Sequence, residues 1–385
     1  MPSTGSDVGG MERLVSSLAD RLRPQGFSAV LCLHRAGPWA QDVRARGHHV
    51  YGLDEDGDRP RAGGRLAALR RRVRRLQTII EFEGVDVVHT HYLGALLHMF
   101  LGRARRRHAW VHTEHARPDL ADYPRWLRGV GERLLATPDR VTAVSEPVGQ
   151  YLRRRLGRRA SRVSVIANGV DVERFAQARD GAATRRELGL AAHAWVIGSV
   201  ANLRPEKNHD VLLHAFARLT GLVPEAKLIL VGDGECRPTL ERLAVELGVA
   251  PHVRFLGTRS DVPELFTAFD VHCLPSRYEG MPLAVLESMA AGVPVVASAV
   301  PGIREIVHDE VSGLLVASGD PVALEAALLR LHRDRLLGCR LAQRAIEEVT
   351  ARFRIESMVE RYGRLYREIA PRVVAPGREA SVTVG

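Results

Sequence analysis

Short apolar runs alternate with amphipathic stretches along nearly the whole chain, in two successive series. Residues 29–33, 85–89, 109–113, 140–144 and 163–166 make up the first series. Residues 195–200, 227–231, 253–256, 271–274 and 293–297 make up the second. Between them, 11–22, 65–80, 210–219, 237–247, 263–269, 283–291 and 321–333 carry apolar side chains at three- and four-residue spacing, the period of a helix packed on one face. Strands that are apolar throughout need helices on both faces, so the alternation specifies α/β structure with mostly parallel sheets. The stretch 180–194 is rich in Ala, Gly and charge and shows no strand pattern, which places a domain junction near 174–194. At 385 residues the chain is also too long for one ordinary core.

The expected domains are 1–175 and 176–350, with a long helix near 352–369 returning to the first. That helix carries Phe353, Met358, Tyr362, Leu365 and Tyr366 on one side. The tail 371–385 has Pro, Gly and little periodicity and is expected to be disordered. A doubly wound domain opens with a buried strand, a glycine turn and a helix. Gly9, Gly10 and the helix from Met11 are present, but 1–7 is small and polar. The first, central strand is therefore expected to be missing, with a late start at an internal methionine as the reason.

No apolar run approaches the ~20 residues of a membrane span, and no signal peptide opens the chain. A cytoplasmic location is the default expectation. The four cysteines stand far apart without a C-x-x-C pair and read as buried free thiols. The net charge of +10 is uneven: residues 1–175 hold 30 Arg and no Lys against 19 acidic groups. An anionic membrane, nucleic acid or a phosphorylated acceptor would each suit that charge, and the charge picks none of them.

The most informative segment is 278–292, YEGMPLAVLESMAAG. Seven residues separate Glu279 from Glu287, and Pro282 or Leu283 suits a first helical position. Amides from Gly280 through Met281, Pro282 and Leu283 to Ala284 would then flank a helix N-terminus, where a diphosphate can bind. Glu287 would sit about a turn and a half in, placed for a ribose diol. A capped helix with a solvated glutamate fits the spacing equally.

This segment resembles the E-x7-E motif of the large retaining glycosyltransferase family called group 1, or family four. Other segments match in order: Gly9-Gly10-Met11-Glu12, Thr113-Glu114-His115, Asn168-Gly169-Val170-Asp171 with Arg174-Phe175, Leu203 through Lys207, Val231-Gly232-Asp233-Gly234 and Phe255-Leu256-Gly257. The resemblance implies a B-type glycosyltransferase fold, two Rossmann-like domains facing across a cleft. It implies transfer of a hexose, with retention, from a nucleotide-diphosphate sugar to an acceptor. Cell-surface polysaccharide, glycolipid or natural-product glycoside synthesis is the expected setting, with a lipid-linked acceptor among the candidates and no nucleic-acid partner.

By the same resemblance, Glu287 holds the donor ribose, and Glu279 with the backbone of 280–283 contacts the sugar and diphosphate. Lys207 neutralises the leaving phosphate, and His115 reaches the donor sugar. Gly9 and Gly10 let the N-terminal loop close over the phosphates. No cofactor beyond the donor substrate and no protein-bound metal are implied. One departure stands out: Asn202 occupies the place of the family's phosphate-neutralising basic residue, and Arg204 is the candidate to replace it.

His89, His91, His112 and His115 cluster at two strand ends and are expected to line the N-terminal face of the cleft, without a recognised metal spacing. Asp54-Glu55-Asp56 imitates a metal-binding D-x-D but reads as a charged loop. The helix over 64–80 sets Arg65, Arg70, Arg71, Arg72, Arg74 and Arg75 opposite Leu66, Leu69, Val73 and Leu76, either a plain surface helix or a face for anionic lipid. A sugar-nucleotide epimerase on the same fold and an inactive, membrane-binding paralogue are the rival readings. The E-x7-E pattern opposes the first, and the intact Glu279, Glu287, Lys207 and His115 oppose the second.

Overall fold

A computed structural model describes residues 9–34, 38–54, 64–102, 108–116, 130–131, 133–177, 181–370 and 380–384. It divides into two units, Met1–Ala167 with Glu356–Gly385, and Asn168–Ile355. Each is a parallel sheet covered by helices, as the alternating pattern requires.

The first unit holds β1 (Phe27–Leu33), β2 (His49–Gly52), β3 (Val87–His91), β4 (Ala109–Glu114), β5 (Arg140–Ala143) and β6 (Val163–Val165). The second holds β7 (Trp195–Val200), β8 (Ala226–Val231), β9 (Val253–Gly257), β10 (Val271–Leu274), β11 (Val295–Ser298) and β12 (Leu314–Val316). A thirteenth strand, β13, is Ala380–Val384, and it belongs to the first sheet. The orders are β2-β1-β13-β3-β4-β5-β6 and β12-β11-β10-β7-β8-β9.

Strand β13 corrects two expectations. The central slot is filled, and a segment of the tail expected to be disordered fills it. Ala380 to Val384 pair in parallel with Phe27 to Leu31 on one side, and Val382 to Val384 pair with Val87 to His89 on the other. The sequence Val-Thr-Val is β-branched throughout, which favours an extended backbone.

Helix α1 (Gly10–Leu22) buries Leu14, Val15, Leu18, Ala19 and Leu22 along one stripe. Helices α2 (Arg65–Phe82) and α3 (Tyr92–Gly102) bring Leu76, Ile79 and Leu96 to the core of Val30, Val88, Trp110 and Val141. In the second unit, α4 (His209–Thr220) places Leu212, Leu213 and Phe216 on Leu228, Leu230 and Val271. Helix α5 (Leu283–Ala290) buries Val285, Leu286 and Met289. Helix α6 (Ile355–Ile369) buries Met358, Val359, Tyr362 and Tyr366, and from Glu356 onward it belongs to the first unit.

The second unit's two chain ends meet in a parallel bridge between Val170 and Arg354. Val170 N donates to Phe353 O at 2.8 Å and Ile355 N to Val170 O at 3.0 Å. The two structural units divide between Ala167 and Asn168, and 181–187 is helical.

Two further expectations change. Asp54 lies in a bend, its side chain 4% exposed and accepting from Arg72 Nε and Nη2 at 2.6 and 2.8 Å, while Glu55 and Asp56 lie outside the described residues. Arg72 thus turns inward from α2, while Leu66, expected on the core side, is 58% exposed. Among the cysteines, Cys32 and Cys273 are buried but Cys339 is exposed.

Candidate functional site

In the second unit β7 leads on to β8 and β9 on one side, and β10 to β11 and β12 on the other. The sheet order reverses between β7 and β10, which are adjacent, with Val271 beside Ile197 and His272 beside Gly198. Parallel sheets bind ligands beyond the carboxyl ends of such strands, because the departing loops diverge and leave a crevice. Lys207 and Glu279 lie on those two loops.

After β7 the chain passes Asn202, Leu203 and Arg204 into a tight 3-10 turn, Pro205–Lys207. Leu203 is fully buried, and its loop rests on the backbone at Gly232 and Gly234. A Cβ at Gly232 would lie 2.1 Å from Ala201 O, and one at Gly234 would lie 2.4 Å from Leu203 O. The glycines of the 231–234 turn are thus explained by close backbone approach. Lys207 Nζ donates to Glu279 Oε1 at 2.6 Å, and Ser276 Oγ donates to the same oxygen at 2.7 Å. The Glu279 side chain is 8% exposed and that of Lys207 21%. The two loops are tied again where Arg277 N donates to Glu206 O and Arg277 Nε to Asn208 Oδ1, both at 2.8 Å.

Gly280, Met281 and Pro282 then carry the chain to α5. Pro282 is the N-cap, Leu283 is the first helical residue, and no side chain caps this end. Asn168 Nδ2 donates to Met281 O at 3.0 Å, and Gly302 sits under the loop, where a Cβ would lie 2.3 Å from Glu279 O. Glu287, in the second turn of α5, is half-buried. Arg204 is exposed, and its carbonyl oxygen accepts from Lys207 N at 3.0 Å; among the described residues its side chain makes no hydrogen bond to Lys207 or Glu279. Sequence reasoning missed Ser276, Arg277 and Asn208; only Asn168 had a signal, as the first residue of its Asn-Gly-Val-Asp run.

In the first unit Gly9 is the N-cap of α1 and Gly10 its first residue. The four histidines at the ends of β3 and β4 do not form one lining. His89 and His112 are fully buried, which corrects the expectation for them. His89 Nδ1 is 2.6 Å from the Tyr366 hydroxyl, and Nε2 is 2.6 Å from Thr113 Oγ1. Thr113 Oγ1 also meets Thr142 Oγ1 at 2.5 Å and the Tyr362 hydroxyl at 3.1 Å. His89 therefore belongs to a buried polar network that fastens α6 to the sheet. His91 and His115 form a separate pair, His91 Nδ1 to His115 Nε2 at 2.8 Å.

Burial, then the charges of His91 and His112, hold His115 well below the ordinary histidine range. Burial also lowers His91 to about 3, and burial with the neighbouring Lys207 lowers His209 to about 4. Among the described residues, no three His, Cys, Asp or Glu side chains converge as metal ligands would. Nor is any described helix long and apolar enough to cross a membrane.

Residues 181–351 match the family described as Glycosyl transferases group 1, and 8–174 match Glycosyltransferase Family 4. The chain is 33% identical over 333 residues to D-inositol 3-phosphate glycosyltransferase of Salinispora tropica, covering 79% of this chain and 69% of that protein. It is 29% identical to the UDP-Gal:alpha-D-GlcNAc-diphosphoundecaprenol alpha-1,3-galactosyltransferase of Escherichia coli, covering 76% and 77%. Its fold matches that of Anabaena HepE, solved in complex with UDP-glucose, with a TM-score of 0.82 at 24% identity over 94% of this chain and 97% of that one.

Proposed function

Because the chain belongs to the group 1 glycosyltransferases, we propose that it moves a hexose, with retention, from a nucleotide-diphosphate sugar to an acceptor hydroxyl. The observation that carries this reading is the Lys207–Glu279 contact at the β7/β10 switch point, beside a helix end that no side chain caps. When the anomeric C–O bond breaks, the electron pair stays on the diphosphate. Charge develops there, and groups already fixed around it are the ones that lower the barrier. Lys207 is the proposed cation for that oxygen, with Arg204 the candidate for a second.

The N–H groups of Gly280, Met281 and Leu283, at the positive end of α5, are the proposed diphosphate cradle. Glu279, held by Lys207 and Ser276, is the proposed sugar contact, and Glu287 the proposed acceptor of the ribose hydroxyls. In the first unit His115 is the proposed contact to the transferred sugar, and Gly9 and Gly10 the loop that admits the phosphates. The chemistry asks for no resident metal, since lysine and helix amides take the charge.

The acceptor we propose is lipid-linked, presented at an anionic membrane surface on the cytoplasmic side. Arg70, Arg71 and Arg74 share the exposed face of α2 with Ala67 and the exposed Leu66. Basic groups and an apolar side chain on one face suit an anionic bilayer. The galactosyltransferase relative, whose name contains a diphosphoundecaprenol substrate, supports the same reading. A panel of nucleotide sugars screened by thermal shift tests the donor class. Proton NMR of the product's anomeric centre tests retention. Stabilisation by no nucleotide sugar, or an inverted product, would overturn the corresponding part.

A further inference from the structure

His91 and His115 each have one ring nitrogen engaged with the other and one left over. The engaged atoms are His91 Nδ1 and His115 Nε2, 2.8 Å apart. The remaining atoms, His91 Nε2 and His115 Nδ1, are both buried and have no hydrogen-bond partner among the described residues. Two neutral imidazoles so arranged share a single proton, so one ring donates and the other accepts. In either arrangement His115 Nε2 is occupied, and Nδ1 is the nitrogen that remains to meet a ligand. Buried polar atoms are rarely left unpaired, and those that are need an explanation such as a missing ligand.

The backbone supports a site here. His91 is the last residue of β3, and Tyr92 follows in the left-handed region at φ 65°. A bulky residue held there is strained, and such strain persists where the surrounding structure over-determines it. The Tyr92 side chain is 55% exposed, and its ring lies 5.9 Å from that of His115. The sharp exit leaves the His91 ring beside His115, their centroids 5.1 Å apart.

We infer that His91 is a positioning residue that holds the His115 ring and keeps its Nε2 engaged, so that His115 offers Nδ1 and not Nε2 to the transferred sugar. The inference rests on the proposed role of His115, but its structural half can be tested without any donor. Asn at position 91 places an amide atom where His Nδ1 stands, and that amide can either donate or accept. Gln places its amide near Nε2, and Phe keeps only the ring.

The experiment uses the whole chain labelled with 15N-histidine. Long-range 1H–15N correlation reads the His115 ring nitrogens, assigned through His115→Gln. In the wild type and in His91→Asn, the His115 Nε2 signal should be that of a hydrogen-bonded ring nitrogen. In His91→Gln and His91→Phe, it should move to the position of an unbonded one. With a donor identified by the thermal-shift panel, turnover should fall about three- to tenfold in Gln and Phe, the loss of one neutral hydrogen bond, and clearly less in Asn. Unchanged His115 signals in Phe, or signals preserved by Gln and not by Asn, would overturn the inference. Should Phe fail to fold, the contrast between Asn and Gln decides alone. Failure of every nucleotide sugar to bind would leave the ring spectra standing, so the two ideas fail separately.

Discussion

Val382 is the residue of β13 on which the first sheet most depends, because it pairs with Ala29 of β1 and with Val87 of β3. Replacing it with proline removes an amide proton and puts a ring in the middle of a central strand, where proline is essentially excluded. Taking the ~3 kcal/mol that proline costs inside a helix as the scale, the loss here is of the same order. A unit of this size shifts its melting midpoint by roughly 2–4 °C per kcal/mol, so Val382→Pro should lower the first unit's transition by roughly 6–12 °C. Deleting 380–384 should do more, because β1 loses a register of five residues and β3 one of three. Each backbone group left buried and unpaired costs ~1–3 kcal/mol, against a whole-domain stability of ~5–15 kcal/mol. Differential scanning calorimetry would follow both units, and the transition of 168–355 should stay in place. If both variants melt like the parent, β13 does not support the sheet and the reasoning is wrong.

Glu287→Ala should weaken nucleotide binding about tenfold to a hundredfold, the worth of a charge-assisted hydrogen bond of ~1.5–3 kcal/mol; unchanged affinity by calorimetry would remove its ribose role. Lys207→Ala should act mainly on kcat, and an effect confined to KM would count against a role at the leaving group. His91, His209 and His272, lowered to about 3, 4 and 3 by burial, should make both units lose stability as pH falls. Their folded pKa values lie below the unfolded ~6.5, so the stability is complete above pH ~6.5. It falls by about 1.4 kcal/mol per histidine per pH unit until the folded values are reached. Thermal melts with the same midpoint at pH 5 and pH 7.5 would refute this. Co-sedimentation with anionic vesicles at low salt should fade as salt rises, and Arg70→Glu with Arg74→Glu should abolish it. Equal binding to neutral vesicles would remove the lipid role from α2.

The strands legible in the sequence are those with unbroken apolar runs, and Trp195–Val200 and Val271–Leu274 agree with the structure end to end. His49–Gly52 and Leu314–Val316 escaped notice because four and three residues are too few for any period to show. Helix α3 was missed because its apolar residues occur nearly all round, without a polar face. At the candidate site, Glu279, Glu287 and Lys207 were legible through spacing and resemblance. Ser276 was not, since nothing local marks a serine that will hold a carboxylate. His89 was expected to line the cleft because its partner, Tyr366, is 277 residues away. A buried network of that reach has no local signature.

The bridge between Val170 and Arg354 bears on how the chain folds as well as on where the units divide. Residues 168–355 interrupt the first unit, and β1 must find β13 across some 350 positions of chain. Joining ends over such a distance is slow and entropically costly, and parallel pairing of this kind is the slowest sort. A folded second unit, with its ends held side by side, acts as a short loop instead. For β1 and β13 this shortens the separation from about 350 residues to about 165, which recovers roughly 0.7 kcal/mol of closure entropy. The order of events then follows from topology: the inserted unit folds first, and the interrupted one closes around its joined ends.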